Sequence, residues 1–366
     1  MNTKTLAFSI FAAAILIATF FVAKPWAQPV GDRGIASQTP LPSDFFENPD
    51  ALTKTPEPPL VITKDKNILV GQGFFYDEQG VLYKERLLPD GTLTSSRDQV
   101  ATGSIRLVDQ SEDYVLFIKD IIVPFGDESD GMNELWLLDR RTGDAQKIFD
   151  NVIQEGDISS GGDRIVVKTQ GHNIFVLTPQ GNIMTKIGVH GTSPKFSPDG
   201  GKIAYIKLPD EPIEMGHEFQ GIAVYDLKTQ EDKLILKSAP GSNEWMITGW
   251  SPDGTRIYFP SGSATRSVAL NGTGKRQETN NVSSGPTIPP YLGDLLFSED
   301  GKIVFGEADG IWAFKVGKDN KFLEGKKVIE GTQGYSSRLY WLEKGKRVIS
   351  HLYGNSTKVY DISSLD

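Results

Sequence analysis

The sequence predicts an all-β fold, a seven-bladed β-propeller of four-stranded antiparallel blades, and three observations predict it. A short phrase recurs: "KFSPDGGKIAYIK" at 195–207 returns as "GWSPDGTRIYFPS" at 249–261. Weaker copies run through most of the chain at a spacing of about 45 residues, the length of a propeller blade. Past the N-terminal segment, no amphipathic helical periodicity interrupts the succession of short apolar runs and turns, which disfavours a βαβ architecture.

The phrase is a strand, a tight turn and a second strand. Phe196 and Trp250 end the first strand. Ser-Pro-Asp-Gly supplies the turn, with Pro fixing φ at the second position, Asp bonding its own backbone and Gly relieving crowding at the exit. Lys202-Ile-Ala-Tyr-Ile and Arg256-Ile-Tyr-Phe then carry the β-branched and aromatic residues of a strand. Weaker copies start at Ile62, Val108, Ile158, Phe297 and Trp341, so successive starts lie 38 to 54 residues apart. The copy at Ile62 aligns without gaps on that at Phe297, Thr63 with Ser298, Asp65 with Asp300 and Ile68 with Ile303. A looser strand–turn–strand pattern follows each copy, as in "ELWLLDRRTGDAQKIF" and "GIAVYDLKTQEDKLIL". Two hairpins make a four-stranded blade, which buries its faces only by packing against neighbouring blades. Seven copies give seven blades, with six as the alternative count because the first copy is the least regular. The last copy leaves room for three strands, so a strand before residue 62 is expected to complete the seventh blade.

Ahead of the repeats, Lys4 and Lys24 bracket 19 uncharged residues, "TLAFSIFAAAILIATFFVA". As a helix this run spans about 28 Å, close to the hydrocarbon thickness of a bilayer. Small residues at −3 and −1 are poorly placed for cleavage, since Pro25 or Phe21 would fall at −3. Residues 1–24 therefore read as a retained signal anchor forming one transmembrane helix. Eight of the 21 prolines lie between residues 25 and 59, which makes 25–58 a semi-extended stalk. The propeller is expected over 59–366, outside the cytoplasm, in the periplasm or at the cell surface.

Composition excludes several function classes. A net charge of −9 argues against non-specific nucleic-acid binding. With no cysteine there is no disulfide, thiolate metal site or cysteine nucleophile. The four histidines, 172, 190, 217 and 351, fall in different repeats without metal-ligand spacing.

The motif Ser-Pro-Asp-Gly-x-x-Ile, at 197–203 and 251–257, resembles the WD40-like (PD40) repeat of bacterial TolB-type propellers. It is also similar to the propeller halves of prolyl oligopeptidase-like enzymes. The resemblance covers 59–366 and implies the fold. TolB-type proteins carry an N-terminal α/β domain and the peptidases a C-terminal hydrolase domain. The sequence leaves no room for either and holds no G-x-S-x-G elbow, so peptidase activity is not expected.

In this architecture the loops leading into the first strands share one face with those joining strands two and three, and the Ser-Pro-Asp-Gly turns lie on the other. Asp199 and Asp253 are thus read as turn scaffold. Just ahead of four consecutive copies stand His190, Trp245, Tyr291 and Tyr335, which would form an arc at the channel mouth able to stack on a sugar or grip a peptide. The competing reading has these side chains packing the rim. Two long loops on the same face, 124–134 and 208–219, carry Asp127, Asp130, Asp210 and Glu214. These are calcium candidates, although "DESDG" lacks the spacing of the twelve-residue calcium loop, and acidic loops are commonly just solvated. No other cofactor is expected. The reading that follows is a monomeric, membrane-anchored, non-catalytic propeller that binds an envelope protein, a peptide or a polysaccharide. The alternative is a propeller glycan or lactone hydrolase or lyase with its site at the channel mouth.

Overall fold

A computed structural model of the chain describes residues 59–366 apart from 72, 89–91, 121–132, 188–189, 210–218, 239–245, 263, 280–291, 309, 331–337, 344–346, 352–356 and 363–366. The predicted anchor and stalk lie outside the described residues; among those described, no helix is long and apolar enough to cross a membrane.

Seven antiparallel sheets follow one another along the chain. Blade 1 holds β1 (Val61–Ile62), a short helix α1 (Lys66–Leu69), β2 (Gly73–Glu78), β3 (Val81–Leu87) and β4 (Leu93–Thr102). Blade 2 is β5 (Ile105–Gln110), β6 (Tyr114–Lys119), β7 (Glu134–Asp139) and β8 (Asp144–Asp150). Blade 3 is β9 (Val152–Ile158), β10 (Ile165–Thr169), β11 (Ile174–Leu177) and β12 (Ile183–Ile187). Blade 4 comprises β13 (Gly191–Phe196), β14 (Lys202–Lys207), β15 (Gly221–Asp226) and β16 (Glu231–Lys237). Blade 5 comprises β17 (Gly249–Trp250), β18 (Arg256–Ser261), β19 (Ala264–Ala269) and β20 (Arg276–Gln277). In blade 6 are β21 (Leu295–Phe297), β22 (Ile303–Glu307), β23 (Gly310–Val316) and β24 (Phe322–Glu330). Blade 7 has three strands among the described residues, β25 (Arg338–Glu343), β26 (Arg347–His351) and β27 (Thr357–Asp361).

The apolar runs are nearly continuous because each middle strand is buried on both faces. Along β6, Val115 and Phe117 face blade 1 while Leu116 and Ile118 face blade 3. Along β14, Ile203 and Tyr205 pack on blade 3, and Ala204 and Ile206 on blade 5. One buried cluster fills each seam. The seam that closes the ring joins Ile349 of blade 7 to Phe74 and Tyr76 of blade 1, flanked by Tyr340, Val359, Tyr83 and Leu93. Across the same seam Thr357 Oγ1 donates to Glu85 at 3.0 Å.

The repeated turn is fixed by one hydrogen-bond set. Ser197 Oγ accepts from the Lys202 N–H at 2.8 Å and donates to Asp199 Oδ1 at 2.6 Å, and Asp199 accepts from the Gly201 N–H at 3.0 Å. Ser251 with Asp253, and Ser298 with Asp300, repeat it. Gly162, Gly200, Gly254 and Gly301 occupy equivalent places with φ between 67° and 69°, a region that a side chain disfavours.

Blade 1 departs from expectation. The copy at Ile62 is not a hairpin: Asp65 accepts from the Asn67 N–H and caps α1. Where Gly301 stands in the aligned copy there is Lys66, so the left-handed turn gives way to a helical one. The residues before 59 that were expected to supply a strand to blade 7 lie outside the described residues. β1 pairs with β4, as the outer strand of blade 1.

The inner strand of blade 1 is β2, and it runs opposite to its neighbour. Gln110 on β5 donates to Phe75 O at 2.8 Å and accepts from Phe75 N at 3.1 Å, while Asp77 Oδ1 accepts from Leu107 N at 3.1 Å. Ascending β2 therefore means descending β5. The hairpin turn after β2 accordingly sits beside the start of β5, with Ile105 N donating to Gly80 O at 3.0 Å.

To reach that reversed strand, the chain crosses from the rim to the centre between α1 and β2, and side chains take up carbonyls along the way. Buried Lys84 donates to Ile68 O and Val70 O at 2.9 Å and to Gly71 O at 3.2 Å, and Arg140 donates to Gly73 O at 2.8 Å. Burial, helped by Arg140 and Arg86, lowers the Lys84 ammonium to about 8. Lys84→Met is expected to strip three backbone carbonyls of their shared charged donor and to reduce stability by about 2 kcal/mol, measured as a shift of the urea midpoint.

Candidate functional site

The innermost strand of each blade leaves one edge unpaired toward the central channel, and those edge N–H groups need acceptors. Side chains of the preceding blade supply several. Asp77, Asp109, Asp157 and Lys195 are the next-to-last residues of β2, β5, β9 and β13. Asp109 Oδ2 accepts from Ile158 N and Asp157 Oδ2 from Phe196 N, each at 2.8 Å. Two residues before Asp157, on the same face of β9, Glu155 accepts from Ser193 N and Thr192 Oγ1 at 2.6 Å. Its other oxygen lies 3.0 Å from the buried ammonium of Lys168, which also donates to Thr192 Oγ1. Ser193 in turn accepts from Ile247 N at 2.9 Å. Two tryptophans make the same connection in reverse: Trp250 Nε1 donates to Lys195 O and Trp341 Nε1 to Phe297 O.

Lys195 reaches farther. Its Nζ lies 3.8 Å from Asp157 Oδ1 on blade 3 and 3.7 Å from Asp294 Oδ1 on blade 6, so it links two blades that are not neighbours. Burial pushes the Asp157 carboxyl up to about 7, with the negative charges of Asp109 and Asp294 adding to the rise; Lys195 and the Phe196 N–H oppose it. This charged group sits toward the end of the channel where β9 and β13 finish, on the side of the Ser-Pro-Asp-Gly turns. The site expected from the sequence lies at the opposite mouth. That expectation also missed Asp109, Asp157, Lys195 and Asp294. Asp157 and Lys195 do precede consecutive copies of the phrase, but a bulge between Leu107 and Asp109 shifts Asp109 out of that register.

On the loop-bearing face, His190 is the one member of the aromatic arc within the described residues. It is exposed, with Nδ1 3.4 Å from Pro209 O. Trp245, Tyr291 and Tyr335 lie outside the described residues, as do all four calcium candidates, Asp127, Asp130, Asp210 and Glu214. Among the described residues no three metal-ligating side chains come together. Two of the histidines, although in different repeats, do meet in space. His172, in the turn between β10 and β11, and His190, just before β13, bring their rings within 6.5 Å.

No protein-family model matches the sequence, and no curated protein matches it. Solved structures do. The tricorn protease is similar at 14% identity and a TM-score of 0.54, over 84% of this chain and 34% of that one, so this chain spans about a third of its length. The periplasmic gluconolactonase PpgL of Pseudomonas aeruginosa is similar at 16% identity and a TM-score of 0.51, over 79% of this chain and 91% of that one. The likeness is one of fold. It agrees with the seven sheets in making this chain a β-propeller.

Proposed function

We propose that this propeller is a non-catalytic binding module of the TolB-like, WD40-like kind. Residues 1–24 anchor it and the proline-rich stalk carries it outside the cytoplasm, where its loop-bearing face takes an envelope protein, peptide or polysaccharide. One observation carries the reading. The carboxylates of Asp77, Asp109, Glu155 and Asp157 accept backbone N–H groups of the next blade, which makes them joints of the wheel rather than groups poised over a substrate. The test is a thermal-shift screen of the full chain against envelope peptides and polysaccharides, repeated with Trp245→Ala and Tyr291→Ala. The reading expects the ligand-induced shift to fall at least severalfold in both variants while the ligand-free melting temperature holds. Equal loss of ligand-free stability would show that the rings only pack the rim.

A second reading, a glycan or lactone hydrolase or lyase, draws on Asp157 alone. A carboxyl raised to about 7 beside an ammonium is suited to exchanging a proton at neutral pH. Turnover of an aldonolactone by the full chain, abolished in Asp157→Asn and in Lys195→Met, would favour it over the binding module.

A further inference from the structure

We propose that His172 and His190 form a two-histidine chelate for a divalent transition-metal ion, copper(II) in preference to zinc(II), on the loop-bearing face of the propeller. The chain holds four histidines in 366 residues, and two of them, 18 positions apart, meet on adjacent blades with ring centres 6.5 Å apart and planes inclined at 60°. Their backbones are tied rather than loosely apposed. Gly191 N donates to His172 O at 2.9 Å, which fixes the residue after His190 against His172, and Leu208 N donates to His190 O at 2.8 Å.

The ring of His190 is also oriented in the way a ligand requires. With Nδ1 3.4 Å from Pro209 O, the proton is placed on Nδ1 and donated to that carbonyl, which leaves the Nε2 lone pair for a metal. A carbonyl behind the imidazole is the usual outer partner of a metal-bound histidine. Metal–nitrogen bonds of about 2.0–2.1 Å on each side nearly span the present separation, and a bent coordination angle asks the rings to approach by roughly a further 1 Å. The His190 side chain is exposed, so rotation about its χ1 and χ2 supplies that movement. Water fills the remaining positions. Imidazole donors with open positions follow the order in which copper(II) binds more tightly than zinc(II).

His172 adopts φ 58°, a left-handed conformation that asparagine accepts readily, so His172→Asn removes the ring and keeps the turn. The experiment is calorimetric titration of the full chain with copper(II) and with zinc(II) chloride in a non-coordinating buffer. It is repeated for His172→Asn, His190→Gln and the double variant, with circular dichroism confirming that each is folded. Paramagnetic resonance of the copper-loaded wild type reads the nitrogen ligands directly. The expected result is a site that prefers copper, two imidazole nitrogens in the spectrum, an affinity lower by roughly tenfold or more in each single variant, and no such site in the double variant. Failure of the wild type to bind either ion, a spectrum without imidazole nitrogen, or variants that titrate like the wild type would overturn the assignment. None of these outcomes depends on the identity of a macromolecular partner, so the chelate stands or falls separately from the binding-module reading.

Discussion

Replacing Glu155 by alanine is expected to lower the stability of the propeller by about 2–4 kcal/mol, read as a fall in the urea midpoint with an unchanged slope. The side chain joins three groups at the seam between blades 3 and 4. Its loss leaves the Ser193 N–H without its acceptor and removes one of two partners from Thr192 Oγ1. It also leaves Lys168, whose side chain is 6% exposed, with a buried charge and no carboxylate opposite. An unpaired buried charge costs more than the pair contributes, so the single variant is worse than a matched double replacement. Glu155→Gln with Lys168→Met removes both charges while keeping an acceptor, and should recover at least half of the loss. A double variant no better than Glu155→Ala would show that neither the stranded ammonium nor the missing acceptor accounts for the loss.

Asp157→Asn is expected to act in the opposite direction and to depend on pH. In the folded protein the Asp157 carboxyl keeps its proton up to about 7, whereas an unfolded aspartate loses it near pH 4. Between those values the folded state holds the extra proton, so this residue's contribution to stability is greatest in acid and falls as the pH rises. Above pH 7 the charge sits buried between Asp109 and Asp294, with Lys195 only partly compensating. Asparagine keeps an oxygen for the Phe196 N–H and cannot ionise. The variant should therefore be more stable than the wild type at pH 8, by on the order of 3–4 kcal/mol, with the difference shrinking as the pH falls and vanishing below about pH 4. Because both proteins share every other titrating carboxylate, the difference between their melting curves at each pH isolates this residue. A variant less stable than the wild type at pH 8 would mean that the ion pair with Lys195 outweighs burial.

The blades were legible in the sequence wherever a glycine marks the turn. Gly162, Gly200, Gly254 and Gly301 share one left-handed conformation, and the copies containing them coincide with the hairpins of blades 3 to 6. Hydrophobic spacing alone misled at Ile62, because Ile68 matches the pattern while Lys66 replaces the residue on which the turn depends. The reversal of β2 was illegible for a related reason: the apolar alternation of "GFFYDE" reads the same in either direction. The joints between inner strands were hidden because each consists of a side chain from one blade and a backbone N–H from the next, a pairing without fixed sequence separation. His172 and His190 illustrate the same limit, since proximity arises from two loops of neighbouring blades rather than from any short spacing.

Among the described residues, no backbone ladder bridges the first and last sheets; packing of Phe74, Tyr76, Tyr340 and Ile349 and the Thr357–Glu85 hydrogen bond join them. Within those residues the disc is a clasped band rather than a welded hoop. A partner pulling on any spoke would find its give at that clasp, where the two ends can part by a small angle while every strand stays paired within its own sheet.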